Sequence, residues 1–241
     1  MTEPIPSEPV PSAPAPIASP EEYRAARVSR RWPLVSGLVA VLLVAAVGAI
    51  IAYRDGNLPF SFDTEWMSEV IEHRSAFWDV PALFMDFLGG GIVGALVVPI
   101  GIALVLFLRR KPWAATYFII ATVLSAGLVQ LLKNVYVRPR PTDILVTADL
   151  GSFPSGHVAN AATMAVVLGF IAHRAWVWVA GVVYTVLMML SRTYLGAHWL
   201  SDTVGGLVLG AGVAVLLWAP FVYRLHRERH GRPATGPVPR V

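Results

Sequence analysis

The chain has 241 residues, of which 56% are hydrophobic and only 14% charged. Soluble domains are about one-quarter charged, so a water-soluble globule and a disordered chain are both disfavoured, and an integral membrane protein remains. The absence of cysteine excludes a disulfide scaffold, a thiolate metal site and a thiol nucleophile, and a net charge of +4 makes the placement of charges more informative than their sum.

Residues 1–20 hold seven prolines and no apolar period. They predict a disordered stretch, the start of a cytoplasmic tail over 1–32 that closes with Arg24, Arg27, Arg30 and Arg31. Residues 34–53 carry no charge. Twenty residues at about 1.5 Å each cross a hydrocarbon core of about 30 Å. The run is too long for a signal peptide and ends at Tyr53-Arg54-Asp55, which reads as an uncleaved anchor.

Over residues 63–79, Trp66, Met67, Val70, Ile71, Phe77 and Trp78 recur at helical spacing, while Asp63, Glu65, Glu69, Glu72 and Arg74 occupy much of the rest. This predicts an amphipathic interfacial helix between spans one and two. A loop packed on the bundle and a lid for an amphiphilic substrate both remain open. Further spans are predicted over 87–108, 112–132, 153–172, 175–190 and 203–223, with a kink at Pro99. Uninterrupted apolar runs of this length exclude a membrane β-barrel. The predicted fold is all-α: a six-span transmembrane helix bundle over 33–223, followed by a basic cytoplasmic tail over 224–241. Gly90 with Gly94, and Gly206 with Gly210, have the spacing of close helix packing inside a bundle.

Lysine and arginine placement sets the orientation. With the N-terminus cytoplasmic, the inner side holds thirteen of the nineteen basic residues. Both termini are then cytoplasmic. Four of the six outer basic residues, Lys133, Arg138, Arg140 and Arg192, fall in two loops and oppose the rule, which asks for another explanation.

Those loops carry three polar clusters, all on the outer side: Lys133 to Pro141, Gly151 to His157, and Ser191 to Asp202. Lys133, Arg140 and Arg192 would repel one another at the membrane surface unless an anion such as a phosphoryl group resolves the conflict. Pro154-Ser155-Gly156 stands where a helix should begin; Ser is a favoured N-cap, Gly admits a ligand to the backbone, and the first-turn N–H groups face outward. His198 and Asp202 are four apart, so on a helix starting near Gly196 they share a face. A carboxylate bonded to one ring nitrogen fixes the tautomer and frees the other as nucleophile or base. With His157 as the second imidazole, one histidine can attack phosphorus while the other protonates the leaving oxygen.

The three clusters resemble the signature of the type 2 phosphatidic acid phosphatase superfamily: Lys-x6-Arg-Pro, Pro-Ser-Gly-His and Ser-Arg-x5-His-x3-Asp. Here they read Lys133 to Arg140-Pro141, Pro154 to His157, and Ser191-Arg192 to His198 and Asp202. The resemblance implies an integral membrane lipid phosphatase working at the outer face. It implies His198 as the nucleophile that forms a phosphohistidine, Asp202 as its orienting partner, and His157 as general acid. Lys133, Arg140, Ser155, Gly156 and Arg192 would hold phosphate, with no metal and no cofactor. The spacing selects Arg140 over Arg138, leaving Arg138 as a solvated or headgroup-facing cation, or as a secondary substrate contact.

The implied substrate is a lipid phosphomonoester or terminal diphosphate: a prenyl diphosphate, phosphatidic acid or phosphatidylglycerol phosphate. The partners are this lipid and the bilayer, with no nucleic acid. Two rival functions use the same residues: a lipid phosphotransferase with the same phosphohistidine, and a non-catalytic anionic-lipid binder or transporter. The pairing of His157, His198 and Asp202 weighs against the binder, which needs cations alone.

Overall fold

Apolar runs bounded by proline and glycine become helices, and no strand occurs among the described residues of the computed structural model, which are 20–54 and 57–229, with side chains from Arg31 onward. Residues 1–19 of the predicted disordered stretch and residues 230–241 of the C-terminal tail lie outside these residues, while the rest of the expected N-terminal tail, from Pro20, is the start of a helix. In chain order the elements are α1 (Pro20–Tyr53), α2 (Ser61–Glu72), α3 (Ala76–Gly89), a π-helical turn (Val93–Val97) running into α4 (Val98–Leu108), α5 (Pro112–Tyr136), α6 (Gly156–Ala172), α7 (Ala175–Tyr194) and α8 (Leu200–Arg229).

Four helices are long and apolar enough to cross a membrane: Arg31–Tyr53 of α1, α5, α7 and α8. A fifth span results if α3 and Val93–Leu108 count as one element bent by 48°. The helix expected to complete six, α6, is apolar but only 17 residues long and lies among α5, α7 and α8. Being covered on most sides, it contains few polar groups and small residues at its contacts. Gly210 of α8 shows how close the approach is: an added Cβ would lie 2.2 Å from the carbonyl oxygen of Ala159. The expected internal packing role of Gly206 and Gly210 therefore holds.

The segment over 63–79 differs from the single interfacial helix expected. It is divided at His73–Ser75 into α2 and α3, and α3 runs on through Asp86 into the bent pair. Tertiary contacts make the break: Arg74 donates from Nε to the Tyr194 carbonyl at 3.0 Å, and the Tyr194 hydroxyl donates to the Ser75 carbonyl at 2.9 Å. The kink expected at Pro99 is also displaced. The bend falls at Gly90–Ile92, and the π-turn ahead of Pro99 widens the helix where the ring would meet a carbonyl. Asn160 of α6 donates to the Gly94 carbonyl of that turn at 2.9 Å. The basic segment from Arg224 to Arg229 is likewise a continuation of α8.

The two ends of the bundle differ in chemistry. At one end Glu228 accepts the N–H groups of Trp113 and Ala114 at 2.8 and 3.1 Å, which caps the start of α5. Arg224 lies 3.9 Å over the Trp113 ring. A buried cluster around Tyr117, Phe118, Val167 and Ala214 fills the bundle above, and Tyr117 donates to the Ala214 carbonyl at 2.7 Å. A second cluster around Val44, Val129, Phe153 and Leu209 continues toward the opposite end. There the loops over 137–155 and 195–199 meet. Leucine, valine and phenylalanine side chains of α1, α3, α4, α5 and α7 face outward, as lipid contact requires.

Candidate active site

Helix α5 stops because Pro139 and Pro141 cannot continue it, and Val137 turns into the left-handed region at φ 44°. This leaves Lys133 in the last turn, buried. Its ammonium donates to both oxygens of Asp149 at 2.9 and 3.0 Å. Arg140 lies beyond the turn. Its Nε donates to the Asp149 carbonyl at 2.9 Å and its Nη2 to Asp149 Oδ1 at 2.6 Å. The same Nη2 reaches the Gly151 carbonyl at 2.9 Å, and Nη1 reaches the Ala197 carbonyl at 2.5 Å and His198 Nε2 at 3.3 Å.

His198 is buried between α7 and α8. Its Nδ1 lies 2.8 Å from the Ser152 carbonyl, which can only accept, so Nδ1 carries the proton. Nε2 is then a lone pair beside Arg140. Burial, and then the charges of Arg140, Arg192 and Lys133, hold this imidazole well below the ordinary histidine pKa. It is a neutral imidazole with its Nε2 lone pair toward the cavity.

Asp202 was expected to fix this tautomer, but the Ser152 carbonyl does so instead. Helix α8 starts at Leu200 rather than near Gly196, so His198 precedes it. Asp202 Oδ2 accepts the Trp199 N–H at 2.8 Å, as the third residue of a helix does in a capping box. It stands 3.6 Å from His198 Nδ1, whose proton goes to Ser152. Its other oxygen accepts from Arg138 at 2.5 Å.

Arg138 corrects both readings made for it. It is neither solvated nor part of the cavity lining: it is fully buried, paired with Asp202 and, at 2.8 Å, with Asp63 of α2. Asp63 also accepts the Ser201 N–H at 2.8 Å and is itself fully buried, not on a polar exposed face. Two carboxyl groups and one guanidinium thus form one buried cluster beside His198.

His157 occupies the first turn of α6, with Nε2 at 3.2 Å from Asp86 Oδ1. The approach is close enough for an ion pair when the ring is protonated, but it is not aligned as a hydrogen bond. Arg192 donates to the same Asp86 oxygen. Ser155, at the N-cap of α6, keeps a buried hydroxyl with no partner, and its N–H donates to the Asp202 carbonyl at 3.0 Å. A cavity of about 1040 Å³ brings together Lys133, Arg140, Gly156, His157, Arg192 and His198. Asp202 and Ser155 stand behind its wall. From these residues the cavity runs between α4 and α5 past Ile100, Leu104, Ile119 and Val123 to Phe107 and Pro112.

Asp86, Asp149 and Asp63 were not among the sequence candidates. Asp86 had a signal: an ionisable residue adjoining an apolar run is a functional candidate by default. Asp149 had only its position in a loop between two motifs, and Asp63 had none. Among the described residues, the trio of acidic and imidazole groups close enough to share an ion is Glu69, Glu72 and His73, exposed on α2 and away from this cavity.

The family model of the PAP2 superfamily matches residues 114–226. An undecaprenyl-diphosphatase of Sulfolobus acidocaldarius is 30% identical over 185 residues, which cover 74% of this chain and 87% of that protein. The crystal structure of a transmembrane PAP2-type phosphatidylglycerolphosphate phosphatase from Bacillus subtilis superposes with a TM-score of 0.67 at 26% identity, over 80% of this chain and 97% of that one. LpxE of Aquifex aeolicus superposes with a TM-score of 0.59 at 27% identity, over 66% and 95%.

Proposed function

The chain belongs to the PAP2 superfamily of membrane phosphatases, and on that premise we propose that it hydrolyses the phosphomonoester or terminal diphosphate of a membrane lipid through a phosphohistidine on His198. It is a phosphoric ester hydrolase. In the first step His198 Nε2 forms a bond to phosphorus as the bond to the lipid oxygen breaks, and His157 gives that oxygen its proton. Lys133, Arg140, Arg192 and the N–H groups at the start of α6 stabilise charge on the remaining phosphoryl oxygens. In the second step water attacks the phosphohistidine, His157 takes its proton, and inorganic phosphate leaves.

The observation that carries this reading is the fixed tautomer of His198, with a lone pair at Nε2 held 3.3 Å from Arg140 at the polar end of an apolar cavity. A binder or transporter of anionic headgroups has no use for that lone pair. The cavity supports a lipid: a tail lying along α4 and α5 remains in hydrocarbon while its phosphate meets the cations. By analogy with the Sulfolobus and Bacillus relatives, prenyl diphosphates and phosphatidylglycerol phosphate are the substrates proposed. The site is assigned to the extracytoplasmic face, with both termini cytoplasmic, on the charge asymmetry of the loops. No metal or cofactor is required.

The test is phosphate release by the purified protein from prenyl diphosphate, phosphatidic acid, phosphatidylglycerol phosphate and a soluble monoester, with and without chelator and a candidate acceptor alcohol. A lipid should be preferred, chelator should not inhibit, and His198→Ala should lower turnover at least about a thousandfold while inserting normally. Phosphate release by that variant at the wild-type rate would remove the nucleophile. Transfer to the acceptor in place of phosphate release would make the protein a phosphotransferase.

A further inference from the structure

Arg140 has five N–H groups, and each faces an acceptor: the Asp149 carbonyl, Asp149 Oδ1, the Gly151 carbonyl, the Ala197 carbonyl and His198 Nε2. Two of the three N–H groups of Lys133 have the two Asp149 carboxylate oxygens to bond. One Lys133 N–H is left over, but a phosphate can bond Arg140 only by displacing an existing partner. Three partners of Arg140 are backbone carbonyls, and one is the nucleophile itself. The Asp149 side chain is 56% exposed, on a loop whose far end is fixed by the Leu145 N–H donating to the Leu195 carbonyl at 2.9 Å. Its carboxylate is the partner that can leave.

Burial alone would raise the Asp149 carboxyl, but the pairs with Lys133 and Arg140 outweigh it and hold it below its ordinary range, so it is an anion when substrate arrives. The exchange is then anion for anion. A terminal phosphate with two charges gains by replacing a carboxylate with one. A phosphodiester, with one charge and two blocked oxygens, does not.

We propose that Asp149 is a specificity-determining residue whose carboxylate competes for Lys133 and Arg140, admitting a dianionic terminal phosphate and refusing a singly charged phosphodiester. This rests on the reading that these two cations hold the substrate phosphate. No covalent step is added.

The experiment measures inhibition of soluble-monoester hydrolysis at pH 8 by inorganic phosphate and by a dialkyl phosphate, using the full-length protein, Asp149→Asn and Asp149→Ala. The wild type should be inhibited by phosphate and not by the dialkyl ester. Both variants should bind phosphate about fivefold more tightly, the scale of a half-exposed ion pair, and should become sensitive to the dialkyl ester. If both bind phosphate no better or more weakly, Asp149 only braces the two cations and the proposal fails while the phosphate site stands. If the wild type is indifferent to phosphate at every concentration, the phosphate-site reading fails and takes this inference with it.

Discussion

The role proposed for His198 asks it to be neutral when it attacks and comfortable as a cation afterwards, and its surroundings divide these two demands. Burial, then Arg140, Arg192 and Lys133, depress its pKa on the cavity side. The carboxyl groups of the Asp63–Arg138–Asp202 cluster stand on the Nδ1 side. Because the folded pKa is lowered, the ring stays neutral as pH falls through about 6.5, the ordinary histidine value, and protonates only below it. Ring-nitrogen NMR of histidine-labelled protein should find His198 titrating below that value, and Lys133→Met should shift the titration upward by removing one cation. Titration at or above 6.5 in the wild type would contradict the electrostatic account. His198, His157 and the cations were legible in the sequence because their spacing repeats a known signature. Arg138 was misread because its partners, Asp63 and Asp202, lie about 60 to 75 residues away, and no local pattern records them.

Helix boundaries at the site are set by the same long-range contacts. The apolar pattern over 63–79 correctly announced helix, but the division into α2 and α3 depends on Arg74 and Ser75 meeting Tyr194, about 120 residues on. The bend after α3 lies against His157. A Cβ on Gly90 would lie 2.1 Å from His157 Nε2, although φ of −125° there suits any residue. Gly91 is the converse, with φ 53° and open space around it. Gly90→Ala should therefore displace the His157 ring. Its turnover should fall at least about tenfold for an alkyl phosphate, whose leaving oxygen needs a proton, and much less for a nitrophenyl phosphate. Gly91→Ala carries only backbone strain of about 1–2 kcal/mol. It should lower thermal stability without altering the dependence on leaving group. Equal losses on both substrates for Gly90→Ala would mean that the glycine serves the fold and not the acid.

At the scale of the whole bundle, charge placement foretold that the two ends differ, and the Glu228 cap and the motif loops stand at opposite ends as that asymmetry requires. The span count was less legible. α6 has only 17 residues, and the second span is a bent pair whose break comes from glycine packing rather than from the proline in view. The cavity was not legible at all, since its walls come from α4 and α5 side chains that individually look like ordinary lipid contacts. From Lys133 to Pro112 it follows α5 for about 30 Å at 1.5 Å per residue, the thickness of a hydrocarbon core. A tail in this channel exchanges lipid contacts for protein contacts at little net cost, so it guides the headgroup more than it adds affinity. Blocking it should hurt long-chain substrates alone. Ala126 lines the channel about 10 Å from Lys133, with its side chain exposed, so a tryptophan there obstructs the path without entering the core. Ala126→Trp should lower kcat/KM for a long-chain lipid phosphate at least about tenfold and leave a soluble monoester within about twofold. An equal fall on both substrates would point to damage at the phosphate site, and no fall on either would mean that the tail remains outside the bundle.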